Sequence, residues 1–202
     1  MLQLNHVTVT RGQKEILSDC TFQFQEGKVY VIVSSDSEDL RAFLKCVCKE
    51  KATKRGEIIT WDGSTIYNAL DDMFLPRHLT VKEYLENLVN VSGNLTTAGS
   101  IMKRLKLDDR HTGKVIGLLP EEEQSLIRLA PVYATHPYIV CYGDPFPETD
   151  IFCEIINDLK EEKVFILATT DMDEARKTVA GTEGILLSCE TGEFKPLSIG
   201  DI

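Results

Sequence analysis

Residues Gly27 to Ala42 read GKVYVIVSSDSEDLRA and hold the densest set of chemistry-bearing positions in the chain. The apolar run Val29 to Val33 leads into a polar turn, and a helix with Leu40, Phe43, Leu44 and Val47 on one face follows. This is the strand, loop and helix frame of a phosphate-binding loop. Such a loop reads G-x-x-x-x-G-K-[ST], with backbone N–H groups around the phosphates and its lysine on the outer ones. Here the loop is Ser34, Ser35, Asp36, Ser37, Glu38, Asp39, Leu40 and Arg41. Ser34 and Asp39 stand at the two glycines, Leu40 at the lysine and Arg41 at the hydroxyl residue. Three carboxylates, Asp36, Glu38 and Asp39, occupy the ground a triphosphate needs. Like charges about 4 Å apart repel by roughly 4 kcal/mol at an effective dielectric of 20, so the loop repels a polyanion. The same acids suit a helix start. Ser35 to Glu38 fits the [ST]-x-x-[DE] capping box, and acids in a first turn complement the helix dipole. The expectation is that the chain fills its own anion site with carboxylates. A divalent cation on Asp36, Glu38 and Asp39 is the competing reading.

These positions need a frame. Residues 1–33 predict strands, with Leu2 and Leu4 and then Phe22 and Phe24 alternating around the punctuation Arg11-Gly12-Gln13. A helix is predicted over 38–49, and strand and turn over 56–67 with Asp62-Gly63 as the turn. Thr80 to Val91 is a strongly amphipathic helix, opened by a capping box of Thr80 and Glu83. Helices follow over 98–107, Pro120 to Ala134, 149–162 and 171–179. Tyr138 to Tyr142 and Val164 to Ala168 are short apolar runs of the buried parallel-strand kind. Strands alternating with helices predict an α/β fold with a parallel sheet covered on both faces.

In segment order the chain resembles the nucleotide-binding domain of ABC transporters over nearly its whole length. The opening LNHVTVTRGQKEILSDCTFQFQEGKVYVIV is similar to that family's N-terminal β-subdomain and first core strand. RGEIITWDG, HLTVKEYLENL, LLPEEEQSLIRLAPVYATHPYIVCYGDPF and VFILATTDMDEA follow in the family's order. The resemblance implies one domain over 1–202 with a P-loop NTPase-like (RecA-like) parallel core, an N-terminal antiparallel β-subdomain and a small helical subdomain near 70–125. It also implies that the family's catalytic letters are replaced. Pro120, Glu121, Glu122 and Glu123 stand in the signature motif, whose serine and amides contact a γ-phosphate on the opposite subunit. Gly143 replaces the Walker B acid that helps hold Mg²⁺, and Asp144 replaces the glutamate that polarises water. Thr170 takes the place of the switch histidine, Arg11 falls near the aromatic that stacks on adenine, and Asp71 near a metal-coupling glutamine. His6, His78, His111 and His136 are dispersed without ligand spacing and read as surface or turn residues. Phosphoryl transfer depends on positioning and charge stabilisation, and both halves of the composite site lose these here.

The formal charge of −10 disfavours nucleic acid and anionic lipid surfaces. No stretch approaches the ~18 apolar residues of a membrane span, and the amphipathic strand pattern at the start predicts no signal peptide. Six cysteines without a C-x-x-C pair read as reduced, inert thiols. The combined expectation is a catalytically inactive ABC-type domain, without cofactor or resident metal, that serves as a structural or regulatory cytoplasmic subunit. It would sit peripherally at the inner face of the cell membrane through a permease subunit, a second ABC ATPase subunit, or both. Met73, Phe74, Leu75 and Tyr84 are the expected docking residues, the first three because large apolar side chains in a loop call for cover. The alternatives are a divergent ATPase that keeps weak ATP–Mg²⁺ binding through Asp144, and a soluble scaffold unrelated to transport.

Overall fold

In the computed structural model the described residues are 2–61, 63–70, 75–189 and 192–197. The alternating apolar positions of the first segment build a small antiparallel sheet. Strands β1 (Leu2–Arg11) and β2 (Lys14–Phe24) form a hairpin closed by the pair Arg11 and Lys14, and β4 (Arg55–Thr60) joins the other edge of β1. Leu2, Leu4, Val7 and Val9 point inward. The β1 ladder is interrupted between Leu4 and Val7, where His6 has φ +50°. Gly56 crosses this irregularity so closely that a Cβ would lie 2.1 Å from the His6 carbonyl oxygen, so no other residue fits there.

The larger sheet has the order β5–β6–β7–β3–β8–β9 among the described residues. Its strands are β3 (Val29–Val33), β5 (Ile66–Ala69), β6 (Ile139–Gly143), β7 (Val164–Thr169), β8 (Ile185–Ser188) and β9 (Lys195–Pro196). All neighbours are parallel except β8 and β9. The period-2 pleat divides the three buried central strands cleanly between two cores. Val29, Val31, Val33, Val140, Tyr142, Phe165 and Leu167 face one side. Tyr30, Ile32, Ile139, Cys141, Ile166 and Ala168 face the other. Helix α1 (Ser37–Val47) and the small sheet cover the second side through Leu40, Phe43, Leu44 and Val47.

The first side is covered by α2 (Val81–Ser92), α3 (Ala98–Arg104), α4 (Glu121–Ile127), α5 (Ala130–Thr135), α6 (Thr149–Leu159) and α7 (Met172–Thr182). The capping box of α2 is present in both directions. The Thr80 hydroxyl accepts from the Glu83 amide at 3.2 Å, and Glu83 accepts from the Thr80 amide at 2.9 Å.

Three expectations need correction. The helix predicted from Pro120 to Ala134 is two helices, because Pro131 has no N–H to donate and its ring crowds the carbonyl four residues back. The strand and turn expected over 56–67 run on into a second strand, Ile66–Ala69, which pairs with β6. The C-terminal strands β8 and β9 extend the sheet beyond β3, where no element was expected.

Candidate functional site

The parallel strands β3, β6 and β7 end together, and the loops after them carry the residues read as candidate chemistry. After β3, Ser34 is buried and its hydroxyl accepts from the Asp36 amide at 3.3 Å. Asp36, not Ser35, caps α1, its carboxylate accepting from the Glu38 amide at 3.0 Å. Ser35 is exposed. Both residues satisfy the local rule, but only Asp36 has a second partner, since Arg11 Nη2 donates to its other oxygen. Burial acts to raise the Asp36 pKa, but the Glu38 amide and the Arg11 and Lys14 charges outweigh it and hold it below the ordinary value.

Asp39 is 4% exposed and faces two cations from the β1–β2 hairpin. Arg11 Nε lies 2.8 Å from one carboxylate oxygen, and Lys14 Nζ donates to the other. Asp36 and Asp39 are therefore paired with Arg11 and Lys14 rather than left facing the loop. Lys14 escaped the sequence reading, which placed only Arg11 near this ground. Glu38 stays exposed, with Arg41 Nε 3.6 Å away. Ser37 is exposed at the first turn of α1.

At the lysine position Leu40 is buried in the second core, together with Leu44 and Leu70. Gly143, at the end of β6, meets the same packing from the other side. A Cβ added to it would lie 2.9 Å from Leu70 Cδ2. Leu70 thus fills the volume that an acid side chain at 143 would need. What remains between Leu40, Arg41, Leu70 and Asp144 is a cavity of about 40 Å³, room for a few water molecules.

The structure brings Asp144 and Thr170 together. One Asp144 oxygen accepts from the Thr170 amide at 3.0 Å and lies 3.4 Å from its hydroxyl. The other oxygen is buried without a hydrogen-bond partner among the described residues. Beside them is a half-buried acid that sequence reasoning missed. Glu174 accepts from the Thr169 hydroxyl at 3.1 Å, and burial, with the Asp144 and Asp171 charges, raises its pKa. Asp171 caps α7, accepting from the Asp173 and Glu174 amides at 2.8 and 3.1 Å. The signal that could have found Glu174 is the spacing Asp171-x-x-Glu174 ahead of an amphipathic helix.

At the signature position Pro120 is the residue before α4 rather than its first helical residue. Glu121 and Glu122 are exposed in the first turn. Glu123 folds back, 3.3 Å from His111 Nε2, while Asp108 lies 2.8 Å from His111 Nδ1. The His111 side chain is consequently 12% exposed and bridges the two acids from a turn, within its reading as a surface or turn residue. Of the expected docking residues, Met73 and Phe74 lie outside the described residues, as does Asp71. Leu75 is 6% exposed and belongs to the first core. Tyr84 packs against that core, and burial pushes its hydroxyl up to about 12. Leu75 is therefore a core residue, while Tyr84 stays partly exposed.

The lysine position is buried leucine, the metal-acid position is closed by Leu70, and the hairpin cations are committed to Asp36 and Asp39. Among the described residues no group of three or more His, Cys, Asp and Glu side chains is placed to hold a metal ion. No helix among them is long and apolar enough to cross a membrane.

No protein-family model matches the sequence. The chain is similar to a xylose import ATP-binding protein of Photobacterium profundum, with 23% identity over 192 residues covering 81% of this chain. It spans only 38% of that protein's length. Among solved structures it is similar to a bacterial ABC transporter cassette known as a dimer, at TM-score 0.76 and 17% identity, covering 100% of both chains. It is also similar to an ABC transporter ATP-binding protein from Pyrococcus furiosus, at TM-score 0.72 and 21% identity, covering 84% of this chain and 91% of that one. The fold is that of an ABC-type nucleotide-binding domain, a P-loop NTPase fold with an antiparallel N-terminal sheet.

Proposed function

We propose that this ABC-type domain is catalytically inactive and serves as a structural or regulatory cytoplasmic subunit of an ABC transporter complex. It would be held at the inner face of the membrane by a permease subunit, with or without a second, active ATPase subunit. The observation that carries this reading is the closed phosphate loop. Arg11 and Lys14 are bound to Asp36 and Asp39, and Leu40 and Leu70 fill the ground where a lysine and a metal-holding acid would be needed. Phosphoryl transfer works by charge stabilisation in place, and of the groups it uses only the Asp144 carboxylate is presented among the described residues. The fold remains, which supports retention for contact rather than turnover.

The purified chain should bind no ATP–Mg²⁺ at millimolar concentration. A ligand at 100 times its dissociation constant stabilises a protein by about 2.7 kcal/mol, a readable rise in melting temperature. A rise with ATP–Mg²⁺ that is absent in a salt-matched control would overturn the proposal. It would turn the reading to a divergent ATPase, which the unpartnered oxygen of Asp144 favours. Co-purification with a membrane permease from solubilised native membranes tests the transporter role. Recovery with soluble proteins alone would point to a scaffold instead.

A further inference from the structure

We propose that Arg128 is a clamp that fixes helix α4 to the ends of β5 and β6, so that these three segments open together or not at all. Arg128 follows α4 and is 4% exposed. Its guanidinium reaches three segments at once. Nη1 donates to the Ala69 carbonyl at the end of β5 at 3.2 Å. Nη2 donates to the Ser125 hydroxyl of α4 at 3.1 Å and to the Pro145 carbonyl, beyond β6, at 2.5 Å. The cation also lies 4.6 Å from the centre of the Tyr142 ring, on β6. Two tyrosines return the contact. Tyr67 of β5 donates to the Arg128 carbonyl at 2.6 Å, and Tyr142 donates to the Ser125 carbonyl at 2.7 Å.

The chemistry makes this more than packing. A buried charge has to recover its lost hydration from protein dipoles. Here two backbone carbonyls, one hydroxyl and one ring face supply most of it, with Nε alone left buried without a partner among the described residues, and these groups come from separate segments. Moving any one of those segments away removes part of the cation's solvation, so movement of one is coupled to movement of all. A planar fork of donors can serve three acceptors and an aromatic face simultaneously, which the single ammonium of a lysine cannot. The clamped strand ends are those that carry Leu70 and Gly143, so the clamp also holds the walls of the small cavity described above. The proposal does not depend on whether nucleotide binds.

Native-state hydrogen exchange on the full chain in low urea tests it. In the wild-type protein the amides of 66–70, 121–129 and 142–146 should share one opening event with a common urea dependence. Arg128→Lys and Arg128→Met should speed exchange in these three segments together by roughly tenfold to a hundredfold, the range for hydrogen bonds to a charged group. Amides of Val29–Val33 and Val164–Thr169 should keep their wild-type rates. Independent opening of the three segments in the wild-type protein overturns the clamp, and that arm stands even where a variant fails to fold. A change confined to α4, or one spread evenly over the whole molecule, overturns it as well.

Discussion

Substituting aspartate for Gly143 would return an acid to the position from which the ABC resemblance expects one, and the structure predicts that the protein resists it. Gly143 is buried, and its φ is not positive, so the backbone itself does not demand glycine. Space does. A Cβ would sit 2.9 Å from Leu70 Cδ2, the tip of a side chain that is 5% exposed and can give way only toward the small cavity it borders. Overpacking of this kind costs about 1–3 kcal/mol. The carboxylate would then enter a cavity lined by Leu40, Leu44 and Ala168 as well as Ser37 and Arg41, with the Asp144 charge adjacent, which adds up to about 3 kcal/mol for incomplete satisfaction. Gly143→Asp should therefore lose about 1–6 kcal/mol in urea denaturation followed by far-UV circular dichroism. Leu70→Ala alone should lose about 2–5 kcal/mol for the void it leaves. Combined, the two should fall short of their sum by about 1–3 kcal/mol, because the void accepts the new side chain. A Gly143→Asp variant within 0.5 kcal/mol of wild type, or strict additivity in the pair, would show that Leu70 does not close this position (both thresholds being on the order of the usual error in such cycles).

Restoring the loop alone should fail too: Leu40→Lys with Arg41→Ser should give no ATP turnover above the same protein carrying Asp144→Ala, and detectable turnover would refute the closed-site reading. Asp39→Asn should destabilise by about 1–3 kcal/mol, below the usual loss for breaking a buried pair because Arg11 and Lys14 are 39% and 57% exposed and can rehydrate. Unchanged urea midpoints in that variant would remove the hairpin cations from the argument. Asp108 is held at about 2, first by the Arg110 side chain and its amide and also by the His111 charge, with burial opposing. Its folded pKa is depressed, so its stabilising effect is complete above the ordinary value of 3.8 and fades as pH falls towards 2. Carboxyl titration by NMR should show that low midpoint, and Arg110→Ala should move it up towards the ordinary value.

Much of the frame was legible because it is local. Val29 to Val33, Tyr138 to Tyr142 and Val164 to Ala168 are apolar runs bounded by turns, and only a covered parallel sheet satisfies such runs. The Thr80–Glu83 box needs only its own four residues. The errors have physical causes as well. Pro131 inside the predicted helix was a readable break, outweighed by the apolar periodicity around it. Ile66–Ala69 is a half-buried edge strand with little apolar signal of its own, and its place depends on pairing with β6. The cap moved from Ser35 to Asp36 because Arg11, 25 residues away, engages Asp36. Lys14 on Asp39 and Leu70 against Gly143 are likewise long-range contacts, for which neighbouring letters carry no trace.

A ligand site must keep polar groups unpaired until the ligand arrives, and in a folded domain that is a standing cost. At the ends of these strands most such groups have found internal partners. Asp36 binds the Glu38 amide and Arg11, Asp39 binds Arg11 and Lys14, Asp144 binds Thr170, and Glu123 binds His111. Leu40 and Leu70 have joined the core. Such contacts favour the folded state whether or not a ligand is present. The carboxylate oxygens left buried without a hydrogen bond among the described residues, on Asp39, Asp144 and Glu123, are anionic acceptors and offer no cradle for a phosphate. Reopening the site therefore requires breaking several stabilising contacts at once. That is why single and double restorations should lose stability before they gain any affinity.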